Sequence, residues 1–391
     1  MEVSVSQPAD RLARLPAYPF AIINQRVRQL TQQGIDVINL DVGSPDKPPP
    51  EFVVEALSRA AHQHNKHGYS GYRGAPEFRR AVSDYYQRRF GVALDPEKEV
   101  LPLLGSKEGI VNLCLAYLDR GDIALVPEIS YPAYSMGAYM AGADVYWIPV
   151  DGDFLPILDA IPADILKRAK LLWVNYPNNP TGATVDLGFY ERAAAFCAEH
   201  DILLASDNPY VEVTYDGYVA PSALQVADAK AFTIEFISMS KSHNMAGWRL
   251  GAAVGSAEAI SNLLQIKSNM DSGHFLAIYE AGAAALDETP QSWIDARNAV
   301  YQKRRDLILS RLDRIGLSAA PPKGSLYIWG KTQFGTGQDY VEGALNHAHV
   351  SFAPGSMYGP GGTNYVRISV GITDDRLAVA LDRLEKWQRN L

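Results

Sequence analysis

Cysteine is scarce in this sequence, with Cys114 and Cys197 the two among 391 residues. They show neither a CxxC motif nor the spacing of metal ligands, so we expect two buried thiols in helices and no disulfide scaffold. Dense basic blocks are also missing, and the formal net charge is −8 at pH 7. A nucleic acid or an anionic membrane is therefore not expected as a partner.

Long apolar runs are missing too. No segment approaches the roughly 18 apolar residues of a membrane span, and residues 1–20 lack an apolar core of signal-peptide length. A cytoplasmic location is the expectation. The histidines His62, His64 and His67 lie close together, but no carboxylate accompanies them at ligand spacing, so no metal site is predicted.

The sequence does contain the alternation that is typical of a parallel sheet covered by helices. Hydrophobic residues make up 47% of the chain and charged residues 20%, a globular composition long enough for two domains. From about residue 99, short apolar runs alternate with longer amphipathic ones. Seven strands are predicted, in EVLPLLG, IALVPE, DVYWIPV, LLWVNYP, ILLASD, FTIEFIS and RLGAAVGS.

Helices are predicted in SKEGIVNLCLAYLD, LGFYERAAAFCAEH and APEFRRAVSDYYQRRFG. The last has Phe78, Val82, Tyr85 and Arg89 along one stripe, with Gly91 just past its end. After about residue 285 the pattern becomes α+β, with a long helical stretch, the strand-like segments LYIWGK, VSFAP and YVRISV, and a final helix. This change predicts a second, smaller domain.

One lysine stands out, in the stretch ISMSKSHNMAGWRLG at residues 237–251. Lys241 lies between two predicted buried strands, where an ordinary surface lysine is not expected. Desolvation lowers the pKa of a lysine and makes its amine nucleophilic, as Schiff-base chemistry requires. Ser238, Ser240 and Arg249 flank it with hydroxyl and guanidinium donors that suit a phosphate. An amine beside an anion site predicts pyridoxal phosphate as the cofactor.

The strands before Lys241 end in side chains that suit a pyridine ring. LLWVNYPNNPTG ends in Asn178 and Asn179, and ILLASDNPY ends in Asp207 and Tyr210. Each motif alone also fits turn or helix-cap chemistry, but together they follow the strand ends at which sheet ligands gather. Asp207 would keep the ring nitrogen protonated, and Asn179 and Tyr210 would donate to the ring oxygen.

A phosphate site is predicted where LLGSKEGIVNL passes from a strand into a helix. Ser106 and Lys107 stand at the helix start, where unpaired N–H groups and the helix dipole favour an anion, although Ser106 also suits a helix cap. Tyr131, in PEISYPAY after the next strand, is expected either to stack on the ring or to pack in the core.

The order of the motifs GSKEG, NNPTG, DNPY, SMSK, GWRLG and YVRIS resembles the class I/II aminotransferases, the fold-type I pyridoxal phosphate family, over almost the whole chain. The resemblance implies that Lys241 bonds covalently to the cofactor and shuttles the substrate proton. It also implies that Arg367 in YVRISV binds the substrate α-carboxylate, with Gly43 and Asn179 close by. The implied phosphate-binding residues are Ser106, Lys107, Ser238 and Arg249.

The resemblance further implies an α/β fold and a shared site. The large pyridoxal phosphate domain, residues 47–285, would hold a mostly parallel seven-stranded sheet, and residues 1–46 and 286–391 would form the smaller α+β domain. In the family the site lies between two subunits, and Tyr69 in YSGYRG matches the tyrosine that contacts the partner's phosphate. A homodimer that acts on an amino acid and a 2-oxo acid is therefore expected.

Longer stretches, such as AKLLWVNYPNNPTGA and AFTIEFISMSKSHNMAGWRLGAAVG, are most similar to the LL-diaminopimelate aminotransferase branch, which uses 2-oxoglutarate as acceptor. The sequence departs from that branch at GSPD, where GDPD is usual, and at KSHNM, where KTYNM is usual. Ser242 and His243 could therefore reshape the pocket, which leaves the donor side chain open. His243 is expected to be a solvated or hydrogen-bonded structural histidine, with titration near neutral pH as the alternative.

Several alternatives remain at this point. Aspartate aminotransferases carry an arginine for the distal carboxylate four residues before a Ser-Asn pair, and Leu264 stands at the matching place before Ser268 and Asn269, which disfavours aspartate. Alanine, aromatic or specialised donors stay possible, as does lyase, decarboxylase or racemase chemistry on the same scaffold. An effector-sensing module of a regulator is disfavoured, because no DNA-binding extension flanks the chain.

Overall fold

The computed structural model describes residues 9–13, 15 and 19–390, so the prediction about residues 1–20 falls largely outside the described residues. The α-helices are α1 (Asp10–Ala13), α2 (Pro19–Gln32), α3 (Glu51–Ala61), α4 (Pro76–Phe90), α5 (Ser106–Tyr117), α6 (Ala133–Ala141), α7 (Ala163–Leu166), α8 (Leu187–His200), α9 (Met239–Ser242), α10 (Ala257–Lys267), α11 (Leu276–Glu288), α12 (Gln291–Leu309), α13 (Gly337–Gly343) and α14 (Asp374–Gln388). The strands are β1 (Ile38–Asn39), β2 (Val100–Leu103), β3 (Ile123–Pro127), β4 (Asp144–Ile148), β5 (Ala169–Val174), β6 (Leu203–Asp207), β7 (Thr233–Ser238), β8 (Gly251–Gly255), β9 (Leu317–Ser318), β10 (Tyr327–Thr332), β11 (Val350–Ser351), β12 (Ala353–Pro354) and β13 (Tyr365–Ser369).

The larger sheet has seven strands in the order β2-β8-β7-β6-β5-β3-β4. Strand β8 is antiparallel to both of its neighbours, β2 and β7, while the remaining pairs are parallel. Helices cover the two faces: α5, α6 and α10 pack on one and α8 on the other. Since both faces are covered, β6 and β7 are buried throughout and β5 is buried except at Lys170, so these strands are mostly apolar along their length. The predicted mostly parallel seven-stranded sheet is confirmed.

Local signals explain where the predicted helices begin and end. Asp186 caps α8 by accepting a hydrogen bond from the Phe189 N–H group at 3.0 Å. Helix α4 starts at a proline and ends at Gly91, whose φ of 71° gives the left-handed cap that glycine adopts without strain. Both helices lie where the sequence predicts them. Cys114 in α5 and Cys197 in α8 are buried free thiols, as expected.

The second sheet is antiparallel, in the order β12-β13-β10-β9, and the short strands β1 and β11 pair beside it. Its apolar cluster draws on α12, α13 and α14, which gives this part of the chain its predicted α+β character. Arg367 on β13 lies directly opposite Trp329 on β10.

The topology brings the ends of β5, β6 and β7 to one edge of the larger sheet. At the same edge α5 begins directly after β2, and Gly251 at the start of β8 pairs with both Leu103 and Ser238. Residues distant in sequence therefore converge where the crevice of an open α/β sheet forms. Among the described residues, no helix is long and apolar enough to cross a membrane.

Candidate active site

A pocket of about 390 Å³ lies at this sheet edge, facing β13 of the second sheet. Eleven of the twelve residues that the sequence singles out line it: Gly43, Ser106, Lys107, Tyr131, Asn179, Asp207, Tyr210, Ser238, Lys241, Arg249 and Arg367. Tyr69 does not, and its side chain is 90% exposed on the surface of its own subunit.

One end of the pocket is built for an anion. Helix α5 begins there, and Gly105 precedes it with a φ of 82° and no side-chain cap. Ser106 is thus not the helix cap, which removes the alternative interpretation of this serine. A Cβ atom on Gly105 would collide with the Arg249 guanidinium. Together with Lys107, Arg249 and the Ser238 hydroxyl, the positive end of the α5 dipole makes this end electropositive.

Arg249 is held in place by its own backbone and by the turn before it. Its φ of 58° and ψ of 39° are left-handed, which is uncommon for a residue other than glycine. Its guanidinium donates to the Ala246 carbonyl at 2.9 Å and reaches the Ser240 hydroxyl at 3.5 Å. Its other end lies against Gly105 at the start of α5, and the residue remains exposed to solvent.

Asp207, the last residue of β6, lies at the opposite end of the pocket. The Tyr134 hydroxyl donates to its Oδ2 at 2.8 Å, and the Asn175 amide donates to its backbone carbonyl at 2.6 Å. Its Oδ1 has no hydrogen-bond partner among the described residues. Burial, with a smaller contribution from Glu235, raises the pKa of Asp207 to about 7, and the Tyr134 bond acts against this. Such a carboxyl group calls for a cationic or N–H partner.

Lys241 lies between the two ends, on the single turn α9 between β7 and β8. Its amine donates to the Gly43 carbonyl oxygen. The side chain is half-buried rather than fully buried, because it lies at the floor of an open pocket. Burial lowers the pKa of the amine, Tyr327 acts against this, and the nearby cations Arg367 and Arg249 lower the pKa further. A larger share of the amine is therefore neutral and nucleophilic than in an ordinary lysine.

Arg367 reaches the pocket from the second sheet and is 3% exposed. Its guanidinium donates to Asn179 Oδ1 at 2.9 Å and to the Asp41 carbonyl at 2.7 Å. Because the Asn179 oxygen accepts from Arg367, the N–H groups of that amide are the donors left for the pocket.

Ser240, which the sequence marks as a further donor beside Lys241, lines the pocket too. Some pocket residues were not predicted, namely Tyr327, Asp41, Ser44, Asn24 and Asn175. Tyr327 was predicted only as part of a strand, and alternation along that strand could have placed it with Arg367. Asp41 has no signal of its own in the sequence, because its role depends on Ser351, which donates to Asp41 Oδ2 at 3.0 Å from 310 residues away.

Of the two predictions about residues beside Lys241, the one that Ser242 and His243 reshape the pocket is wrong, and the one that His243 is structural is supported. Ser242 and His243 do not line the pocket, so they cannot reshape it directly. His243 is buried, its Nδ1 lies 2.8 Å from the Ser242 hydroxyl, and burial lowers its pKa to about 3. It therefore does not titrate near neutral pH and is a hydrogen-bonded structural histidine.

The pocket residues fit pyridoxal phosphate. A phosphate suits the electropositive end at α5, a protonated ring nitrogen suits the unpartnered Asp207 Oδ1, and an aldehyde suits the Lys241 amine. The fold and the site together define the class of fold-type I pyridoxal phosphate enzymes.

Comparison with known proteins narrows the class. The family "Aminotransferase class I and II" matches residues 35–384. LL-diaminopimelate aminotransferase of Moorella thermoacetica is 44% identical over 383 residues, which cover 97% of this chain and 98% of that protein. Substrate-bound BacF of Bacillus subtilis has a TM-score of 0.93 at 36% identity and covers 99% of both chains. Aspartate aminotransferase of Thermus thermophilus with maleate has a TM-score of 0.91 at 30% identity, over 98% of this chain and 100% of that one.

The chain belongs to the class I and II aminotransferase family. It is an enzyme that transfers amino groups between amino acids and 2-oxo acids, with pyridoxal phosphate as its cofactor.

Proposed function

We propose that this aminotransferase takes LL-diaminopimelate as amino donor and 2-oxoglutarate as acceptor. The observation that carries the proposal is the 42–44% identity, over 96–98% of the chain, to curated relatives that bear the name LL-diaminopimelate aminotransferase. Leu264, at the place of the distal-carboxylate arginine of aspartate aminotransferases, packs against the apolar cluster under α5 and α10 instead of lining the pocket. That placement disfavours aspartate as the donor.

We assign the substrate-binding and proton-transfer roles to four residues. Arg367 would bind the α-carboxylate through its planar fork, beside Gly43 and Asn179. The Lys241 amine would hold the cofactor covalently and, once it is displaced by the substrate, take the proton from the substrate α-carbon. Bound pyridoxal phosphate supplies an electron-withdrawing ring that stabilises the electron pair left by that proton.

The remaining residues would hold the cofactor in place. Asp207 would face the ring nitrogen, Tyr131 would stack on the ring, and Asn179 and Tyr210 would donate to the ring oxygen. The phosphate would be bound by Ser106, Lys107, Ser238 and Arg249, whose donors share one end of the pocket.

The specificity for the amino donor depends on which groups bind the distal end of its side chain. LL-diaminopimelate carries a second ammonium and a second carboxylate. Among the described lining residues the acidic side chains are Asp41 and Asp207. Asp207 would face the ring nitrogen, whereas Asp41 accepts from Ser351 at Oδ2 and has no hydrogen-bond partner at Oδ1 among the described residues. The neutral side chains of Asn24 and Ser44 also line the pocket.

We also propose a homodimer in which Tyr69 contacts the partner's phosphate. Exposed apolar side chains at Tyr72 and Met270 lie near it, since the Ser70 hydroxyl donates to the Ser272 carbonyl at 3.3 Å and joins the two segments. The proposed domains remain residues 47–285 and the smaller unit of 1–46 with 286–391. The two free, buried thiols support a reducing, cytoplasmic location.

A panel of amino donors tests the substrate. LL-diaminopimelate, lysine, glutamate, aspartate, alanine and phenylalanine are each added to the cofactor-loaded enzyme, and loss of the visible absorbance of the lysine-bound cofactor is recorded. Glutamate formed from 2-oxoglutarate is measured in parallel. We expect LL-diaminopimelate to bleach the absorbance fastest and to yield glutamate. If another donor bleaches it while LL-diaminopimelate does not, the substrate assignment fails and the activity class stands.

A further inference from the structure

Tyr327 lies where three parts of the site meet. Its hydroxyl is 2.9 Å from the Tyr210 hydroxyl and 3.3 Å from the Gly43 carbonyl oxygen. The Lys241 amine donates to the same carbonyl oxygen. The Tyr327 ring is buried beneath Arg367, whose guanidinium carbon lies 4.0 Å from the ring centre. A single side chain thus contacts Tyr210, assigned to the cofactor, and Arg367, assigned to the substrate, and it shares the Gly43 oxygen with Lys241.

The strand register fixes this position. Trp329 on β10 is opposite Arg367 on β13, and Tyr327 lies two residues from Trp329 on the same face of the sheet. On its other side the hydroxyl is confined by the segment before α3: a Cβ atom on Gly43 would lie 2.6 Å from it. The hydroxyl therefore has little freedom to choose other partners.

The Tyr327 hydroxyl has one proton and two possible acceptors. The Gly43 oxygen is farther from the Tyr327 oxygen, at 3.3 Å, than the Tyr210 oxygen is, at 2.9 Å. This difference directs the Tyr327 proton to Tyr210. The Tyr210 proton is then free to point into the pocket.

The surrounding charges favour the same direction. Burial alone would raise the pKa of the Tyr327 hydroxyl, but Arg367 first, then the Lys241 amine and the bond to Tyr210, bring it below its usual value. Arg367 and the Tyr210 bond stay in place when Lys241 holds the cofactor. Burial raises the pKa of Tyr210 well above its usual value. The more acidic hydroxyl of a pair is the better donor. The other titratable groups that face the pair or Arg367 are Tyr131, Tyr358 and Asp41.

We propose that Tyr327 is a positioning residue that donates to Tyr210 and so strengthens the hydrogen bond from Tyr210 to the ring oxygen of the cofactor. The inference rests on the proposed function, because it requires Tyr210 to be the ring-oxygen donor. Hydrogen bonds in a chain polarise one another, so a donor behind Tyr210 makes Tyr210 a stronger donor. A stronger donor stabilises the ring oxyanion and lowers the pKa of the lysine-bound cofactor.

The test is a pH titration of the visible absorbance of the cofactor-loaded enzyme. Tyr327→Phe keeps the ring under Arg367 and removes the hydroxyl alone. We expect the apparent pKa of the absorbance to rise by about 0.5, the size expected when one neutral hydrogen bond in a chain is lost. Tyr340→Phe is the matched control, because it removes another buried hydroxyl, one that donates to the Ile315 carbonyl at 2.8 Å far from the pocket. It should leave the titration unchanged.

The same substitution made in a Tyr210→Phe variant shows whether Tyr327 acts through Tyr210 or through a general effect on the fold. In Tyr210→Phe the titration should shift by itself, and adding Tyr327→Phe should shift it no further. If Tyr327→Phe does not fold, Gly43→Ala displaces the same hydroxyl and should give the same upward shift.

The outcomes divide cleanly. An unchanged or lowered pKa in Tyr327→Phe, an equal shift in Tyr340→Phe, or a further full shift in the Tyr210→Phe background overturns the inference. Absence of any visible absorbance in the unaltered enzyme after pyridoxal phosphate is added counts instead against the proposed Lys241 site itself.

Discussion

Asp207 is a carboxyl group with one oxygen bound and the other facing the pocket. Tyr134 occupies Oδ2, and Oδ1 has no hydrogen-bond partner among the described residues. Burial makes its ionised form costly and raises its pKa from 3.8 to about 7. A cationic ring nitrogen at Oδ1 would offset that cost, so cofactor binding and the charge of Asp207 should be linked.

The linkage predicts a pH dependence for the cofactor-free protein. A carboxyl group whose pKa is raised by folding contributes stability below its unfolded pKa, and this contribution is lost as the pH rises from 3.8 through about 7. Asp207→Asn cannot ionise and lacks this loss. From pH 5 to pH 8, we expect the variant to gain about 2–3 kcal/mol over the unaltered protein in free energy of unfolding. Urea unfolding at both pH values measures this, with exposed Asp159→Asn as control; equal pH dependence in all three proteins would contradict it.

Sequence reasoning reached Asp207 but not its partner. A position at the end of a predicted buried strand, followed by Tyr210, marks Asp207 as a ring partner. Tyr134 precedes it by 73 residues on α6, and only the packing of α6 on the sheet brings the two together. The same limit applies to Tyr327 and Asp41, whose partners come from the other sheet or from distant strands.

At the scale of elements, α12 fixes the turn that carries Lys241. Arg297 on this helix is 3% exposed. Its guanidinium donates to the carbonyls of Lys241, Ser242 and Glu212 and to the Asn298 side chain, and it stacks over Trp293 at 5.2 Å. It thereby ties α9 to the segment that follows Asp207. A buried cation satisfied by carbonyl oxygens is costly to remove, since each of those oxygens loses its donor.

Arg297→Met should therefore destabilise the protein by about 3 kcal/mol or more. Arg297→Lys keeps the charge without the planar fork and should recover part of this loss. Lys303→Met, on an exposed part of the same helix, should change the free energy of unfolding by no more than about 0.5 kcal/mol. Urea unfolding of the cofactor-loaded enzyme measures all three. If Arg297→Met loses no more free energy of unfolding than Lys303→Met, Arg297 does not hold α9 in place.

Helix faces were predicted less accurately than helix bounds. The stripe predicted on α4 ran through Phe78, Val82, Tyr85 and Arg89, and the first two are fully buried. Farther along, the buried residues are Tyr86 and Phe90, each one position after the predicted Tyr85 and Arg89. The face of α4 that contacts the sheet and α11 therefore differs from the predicted stripe in the second half of the helix. The direction of a helix face depends on which element packs against it, and the spacing of apolar residues does not contain that information.

At the scale of the whole molecule, the site exists because of the strand order. The sequence predicts seven strands, yet nothing local predicts that β8 lies antiparallel between β2 and β7. That insertion sets Arg249, just before β8, against Gly105 and completes the anion-binding end. The order of the motifs predicted this anion-binding end, because it resembles that of a known family. The periodicity of apolar residues did not predict it. The proposed domain boundaries and dimer stay predictions.

The dimer can be tested by complementation. If Tyr69 serves the partner's site, a mixed dimer of Lys241→Ala and Tyr69→Ala subunits brings both defects together in one site and leaves the other site intact. Each variant alone should lose roughly tenfold or more of its activity, since Lys241 is the proposed base and Tyr69 a proposed phosphate donor. Random reassortment of equal amounts makes half of the dimers mixed, so about a quarter of all sites should be intact and that share of activity should return.

Lys241→Ala mixed with Asp207→Asn is the control, because every site of the mixed dimers then carries one defect and no activity should return. If the Tyr69 mixture stays as inactive as this control while mixed dimers are seen by mass, Tyr69 acts in its own subunit or not at all, and the exposed surface around it needs another explanation.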